Sequence, residues 1–341
     1  MTNHRGQRLC YIDIAKSLGL VMVILSHTVY PQLMLIAIGW YVPIFFIASG
    51  YTLGNFNIPK RGKRLIGSYV CFSLLLLGLY ILIQCMRHEP LNGIRNMTMG
   101  ILYSRYALYP LTAAENINLL HMEYNAPLWF LTSMFTAYIA LIPLLKWSKL
   151  WGGIIIGYIA LTWCLNHLPI LLPWSIDCAF VTAIFIWIGI KLRKIDYISN
   201  NSRRLWIAIF AGYLFITYLN GGVNLSIREY GNSILFFLIS GVLGSMLIIK
   251  LSEWLETFAM SKYLTYIGQH SLTIFCIQMP LLVFSRVIIH KINIAMSIDT
   301  PAIAIALFQL VVAIVGGCLF DFVVHNTMYK IKRIIPDTLK S

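Results

Sequence analysis

The sequence predicts an all-α fold, a polytopic transmembrane helix bundle of about ten helices with both termini cytoplasmic. Three observations predict it. The 341 residues are 59% hydrophobic and 11% charged, about half the charged share of a soluble domain, and the mean hydropathy is +0.77. Apolar runs of the ~20 residues that span a bilayer follow one another almost end to end. The 26 Lys and Arg residues fall into alternate connections, as the positive-inside rule requires of a multi-pass protein. A transmembrane β-barrel would instead show short alternating segments.

Each run can be justified in order. The first, 9–30, follows Arg5 and Arg8; it contains Lys16 and lacks a small-x-small cleavage site, so it reads as a retained helix. The second, 33–57, and the third, 65–86, flank the basic cluster Lys60, Arg61, Lys63 and Arg64. A long outer connection, 87–126, carries Arg87, Glu89, Arg95, Arg105, Glu115, His121 and Glu123, and its length suits a cover over an outward-facing cavity. Runs at 127–145 and 150–169 flank Lys146 and Lys149, and 172–190 and 205–220 flank Lys191, Arg193, Lys194, Arg203 and Arg204. Runs at 231–251, 263–289 and 301–329 complete the set, with Arg228, Arg286 and Lys291 in outer connections. On this count 19 basic residues lie inside, 6 outside and Lys16 within a helix, and a missed crossing would scramble that asymmetry. The sequence thus reads as one membrane domain over 1–341 with no appended soluble domain. The net charge of +14 is explained by orientation and needs no nucleic-acid partner. The seven cysteines are scattered without a C-x-x-C pair and read as reduced and structural.

The first helix raises the functional question, because it takes Asp13, Lys16 and His27 toward lipid. Lys16 and His27 are 11 residues apart, about three turns plus 20°, so they share one face about 16 Å apart along the axis. Asp13 precedes Lys16 by three residues and can pair with it. A charge at the bilayer centre costs at least ~2.5 kcal/mol, which a protein bears where the face lines a cavity. The alternative is snorkelling of Asp13 and Lys16 at one interface, with His27 at the other. Asp177 and Asp321 are further carboxylates in or beside apolar runs; Asp177 has an interfacial reading, and Asp321 can pair with His325 one turn on. The eight His are dispersed without a metal-ligand spacing, so no metal site is expected.

Lys16-x10-His27 resembles the (Arg/Lys)-x10-His motif of acyltransferase-3 membrane proteins. "PIFFIASGY" (43–51), "RGKR" (61–64), "PLWFL" (127–131) and "LTYIGQHSLTIFCIQMPLL" (264–282) look like further motifs of that family, in its order. Its fucose-acetylase-like and enterobacterial-antigen-acetylase-like subgroup is the one the chain looks like. The resemblance implies an O-acetyltransferase of the plasma membrane, the inner membrane of a bacterium. It would move acetyl from cytoplasmic acetyl-CoA to a hydroxyl of a surface glycan or lipid-linked sugar, beside glycan-assembly proteins.

His27 is then the catalytic candidate, as general base or as an acetyl carrier. Lys16 would stand near the donor's entrance, with Asp13 holding its register. Arg61 and Arg64, with Lys60 and Lys63, would dock the donor's phosphates, although positive-inside charge alone also explains the cluster. An extended pantetheine arm reaches about 15–20 Å, comparable to the Lys16–His27 separation. Ser49 is a thioester contact or, with Ala48 and Gly50, a small residue for close helix packing. Trp129 is a stacking surface for the acceptor sugar or an interface-belt aromatic. One departure stands out: many members have His before the late-helix Pro, where this chain has Gln278, with His270 two turns earlier as a partial substitute. Two rival readings remain, a proton-coupled transporter using Asp13, Lys16 and His27, and a non-catalytic glycan- or lipid-binding scaffold.

Overall fold

The computed structural model describes residues 9–32, 38–53, 58–91, 93–105, 107–109, 126–199 and 202–334. Among them are twelve α-helices and no strand: α1 (Cys10–Ser26), α2 (Pro43–Tyr51), α3 (Ile58–Arg87), α4 (Ile94–Tyr103), α5 (Trp129–Lys146), α6 (Trp151–Asn166), α7 (Ala179–Ile195), α8 (Arg203–Asn220), α9 (Ile234–Glu256), α10 (Ser261–Gln269), α11 (Ser271–Met296) and α12 (Ala302–Ile334). Six segments are long and apolar enough to cross a membrane: Pro59–Arg87, Trp129–Lys146, Pro173–Ile195, Ile234–Glu256, Ser271–Met296 and Ala302–Thr327. The chain is a polytopic helical bundle.

Two features differ from the sequence reading. The run 263–289 is divided at His270, whose backbone (φ −100°, ψ 9°) leaves the helical path between α10 and α11. The long connection contains a helix of its own, α4. Tyr69 Oη donates to Ile101 O (2.5 Å), so α4 descends along α3 instead of lying over the bundle. Glu115, His121 and Glu123 lie outside the described residues.

The core is built on α1, α2, α5, α7 and α9. Small residues set the closest crossings. A Cβ on Gly50 would collide with Ile186 O, and one on Gly189 with Ile47 O, so α2 and α7 touch backbone to backbone. Gly268 does the same for α10 against Asp13 O of α1. The outer helices bury little: Thr162 alone in α6, and Tyr213 and Asn220 in α8. Trp163, Ile207, Phe215, Leu251 and Val311 face outward. In water these rims would be aggregation surfaces; against lipid tails they are solvated.

Charge separates the two ends. At one, Arg193 Nη1 donates to Tyr51 O (3.0 Å), Tyr11 Oη to Tyr51 Oη (3.3 Å) and Lys250 pairs with Glu253 (2.6 Å). At the other, Asp177 is fully buried between Arg105 and Arg228, with Arg228 Nη1 3.4 Å from Oδ2. This corrects the interfacial reading of Asp177: two guanidiniums from separate connections replace its hydration. Asp321 is corrected as well. Its partner is His270 Nδ1, at 2.5 Å, because the break before α11 turns that ring toward α12.

Candidate active site

Helix α1 stops where its own side chains take up its carbonyls. Ser26 Oγ donates to Val23 O (2.7 Å) and Thr28 Oγ1 to Leu25 O (2.8 Å), and Pro31 follows. His27 Nδ1 lies 2.7 Å from Val23 O. A carbonyl only accepts, so Nδ1 carries the proton in the neutral ring and Nε2 carries the lone pair. His27 lines a cavity of about 430 Å³ with Val23, Ser26, Phe45, Trp129, Phe130 and Phe275, and with Asn224 and Ser226 from the connection before α9. Phe130 is edge-on or tilted to Phe45 (5.6 Å) and Phe275 (5.2 Å), which forms an apolar wall with a few neutral polar groups on it.

The depth of this cavity follows from its neighbours. Arg286 Nη2 donates to His27 O (2.8 Å), so α11 passes His27 at Arg286 and runs ten residues further, about 15 Å. Val29 N donates to Gln309 Oε1 (3.0 Å), seven residues into α12. His27 therefore lies about 16 Å from Lys16 along α1, and both α11 and α12 extend beyond it.

Lys16 Nζ pairs with Asp13 Oδ1 at 2.6 Å; Asp13 is buried and Lys16 partly so. Val23, on the Lys16 face of α1, and His27 both line the cavity, whereas Lys16 and Asp13 lie below it. At the basic end Arg61 is half-buried at the start of α3, and Lys60, Lys63 and Arg64 are exposed beside it. Arg61 Nη1 donates to Tyr138 Oη (3.2 Å), and Tyr138 Oη meets Ser49 Oγ in a short hydrogen bond. Ser49 is thereby joined to the basic cluster, away from the cavity. Phe45, one turn before Ser49 on α2, reaches the cavity wall, so one face of α2 leads from Arg61 toward His27. Trp129 is buried on that wall, which removes the interface-belt reading for it.

Sequence reasoning missed three features. Tyr138 has no signature beyond a hydroxyl in an apolar helix. Arg286 was counted as an outer-loop charge although it lies inside an apolar run, and an intramembrane cation is itself a signal. Arg105–Asp177–Arg228 joins segments 51 to 72 residues apart that nothing in the sequence links. Arg105 Nη1 also donates to Ser226 O (2.7 Å), so this cluster braces the cavity wall from behind. Gln278 is fully buried on α11, and neither amide atom has a partner among the described residues. No group of three or more His, Cys, Asp or Glu among the described residues is placed to hold a metal ion.

This arrangement offers an imidazole whose Nε2 has no partner among the described residues, in a cavity approached along a helix face from a cationic rim. No curated protein and no solved structure gives a match. The sequence model described as "Acyltransferase domain", Acyl_transf_3, matches residues 10–321, which takes in α1, the basic start of α3, α5 and the His27 cavity. The chain belongs to the acyltransferase-3 family and is a multi-pass membrane acyltransferase.

Proposed function

We propose that the chain is an O-acetyltransferase that moves acetyl from cytoplasmic acetyl-CoA to a hydroxyl of a surface glycan or lipid-linked sugar, in a bacterial inner membrane. The observation that carries this reading is the His27 ring on the cavity wall, held by Nδ1 to Val23 O and with no partner for Nε2 among the described residues. In the reaction, Nε2 takes the proton of the acceptor hydroxyl as its oxygen attacks the thioester carbonyl carbon. The tetrahedral intermediate collapses, the C–S bond breaks and the imidazolium returns the proton to the leaving sulfur. The products are the acetyl ester and CoA thiol. The alternative, an acetyl carried on Nε2, uses the same nitrogen as nucleophile.

The nucleotide docks on Lys60, Arg61, Lys63 and Arg64, whose guanidinium and ammonium groups suit phosphate oxygens. Its arm, about 15–20 Å long, runs along α1 and α2 past Lys16 and Ser49, and Trp129 offers a face to the sugar. Asp13 holds Lys16 at the entrance. The subgroup of fucose-acetylase-like and enterobacterial-antigen-acetylase-like proteins fits this assignment, with glycan-assembly proteins as its neighbours. The test is two-fold. Purified protein in detergent should release CoA thiol from acetyl-CoA in an acceptor-dependent way, and cells lacking the protein should lose acetyl from a surface glycan. Solute uptake into proteoliposomes without acetyl-CoA, and no thiol release, would establish the transporter reading instead.

A further inference from the structure

The charges around the cavity are unequal. Arg286 is exposed on α11, outside the residues that line the cavity, and its one hydrogen bond among the described residues is to the His27 carbonyl, at the cavity's edge. A guanidinium has five N–H donors, so most of its capacity is open. No carboxylate pairs with it among the described residues. The same face continues outward. Asn293 is seven residues on, within about 20° of Arg286, and His290 is four residues on, about 40° round. Both lie on a helix whose neighbouring positions, Phe284, Val287 and Ile294, are apolar and exposed. A polar stripe thus runs along the exposed face of α11 from Arg286 toward the end of that helix.

A second group of the same sign lies outside the cavity wall. Behind Asn224 and Ser226, two buried guanidiniums share one carboxylate, leaving one net positive charge. Glu229, the other acid of that connection, does not line the cavity, and its partial burial raises its pKa. Every polar group on the cavity wall itself is neutral or an imidazole. An unpaired cation at membrane depth is costly, and a site that keeps one gains when an anion arrives.

We propose that the acceptor is an anionic sugar, entering from the outer side along the Arg286–His290–Asn293 stripe, with its carboxylate or phosphate on Arg286 and its hydroxyl at His27 Nε2. This rests on the acyl-transfer reading for the role of His27, but anion binding can be measured without turnover. Binding of glucose, glucuronic acid and glucose 1-phosphate to the detergent-purified full chain should favour at least one anionic sugar over glucose by about tenfold or more. The tighter of the two anionic sugars names the acceptor's charged group. Arg286→Gln should erase the preference and Arg286→Lys should keep most of it. Lys291→Gln, on another face of α11, should leave the preference intact. Equal binding of all three sugars by the wild type overturns the proposal. So does a preference that survives Arg286→Gln, or one that Lys291→Gln removes equally. Selective anion binding without any acetyl transfer would count against the proposed function and leave this inference standing.

Discussion

At the scale of single residues, the decisive contact is His27 Nδ1 to Val23 O at 2.7 Å. It uses one ring nitrogen for structure and leaves the other without a partner among the described residues. The i, i+11 spacing made His27 and Lys16 legible in the sequence, but the tautomer needed the coordinates, because the bond partner is a carbonyl of the same helix. Arg105, Asp177 and Arg228 were legible only as isolated charges. Their meeting depends on connections that fold back from distant parts of the chain. Asp177 is now the residue whose loss should cost most. Asp177→Asn leaves two buried guanidiniums without their counter-ion, and breaking such a pair costs roughly 3–5 kcal/mol. Thermal unfolding in detergent should show a clearly lowered midpoint for Asp177→Asn and almost none for Asp299→Asn in the outer connection. A wild-type midpoint in Asp177→Asn would mean that the cluster does not hold the outer wall.

Among the helices, close crossings depend on glycine. Gly268 lets α10 touch the backbone of α1 at Asp13, and this contact fixes the height of the Asp13–Lys16 pair. Gly268→Val should overpack that crossing by about 1–3 kcal/mol, seen as a reduced folded fraction on size exclusion, whereas Gly157→Val, with open space at its Cβ, should be neutral there. The apolar periods gave most helices but could not show that 263–289 breaks at His270 or that α4 descends along α3. Both depend on contacts with other helices rather than on local pattern. The start of α3 carries a binding prediction. Lys60→Gln, Lys63→Gln and Arg64→Gln together should raise KM for acetyl-CoA about tenfold, with a smaller change in kcat. The wild-type KM should rise with salt as exposed charges are screened. A KM unchanged in the triple variant would return these residues to a purely topological role.

For the whole molecule, the helix ends that carry Arg61, Arg193 and Lys250 form a basic side, which the positive-inside rule predicts to be cytoplasmic. In a background without native cysteines, Met296→Cys should react with a membrane-impermeant thiol reagent in intact cells, and Lys149→Cys only after permeabilisation. The reverse pattern would invert the donor and acceptor sides. Fold class was legible because hydropathy is summed over hundreds of residues. The cavity was not, since its wall draws on α1, α2, α5, α11 and the connection before α9 at once. The central claim is that one nitrogen, His27 Nε2, carries the transfer. His27→Asn tests it most directly, because the Asn amide can still donate to Val23 O while the basic nitrogen is gone. Single-turnover acetyl transfer from labelled acetyl-CoA should fall by about 10²–10⁴ in His27→Asn with CoA affinity close to wild type. Transfer within a few-fold of wild type would contradict the account.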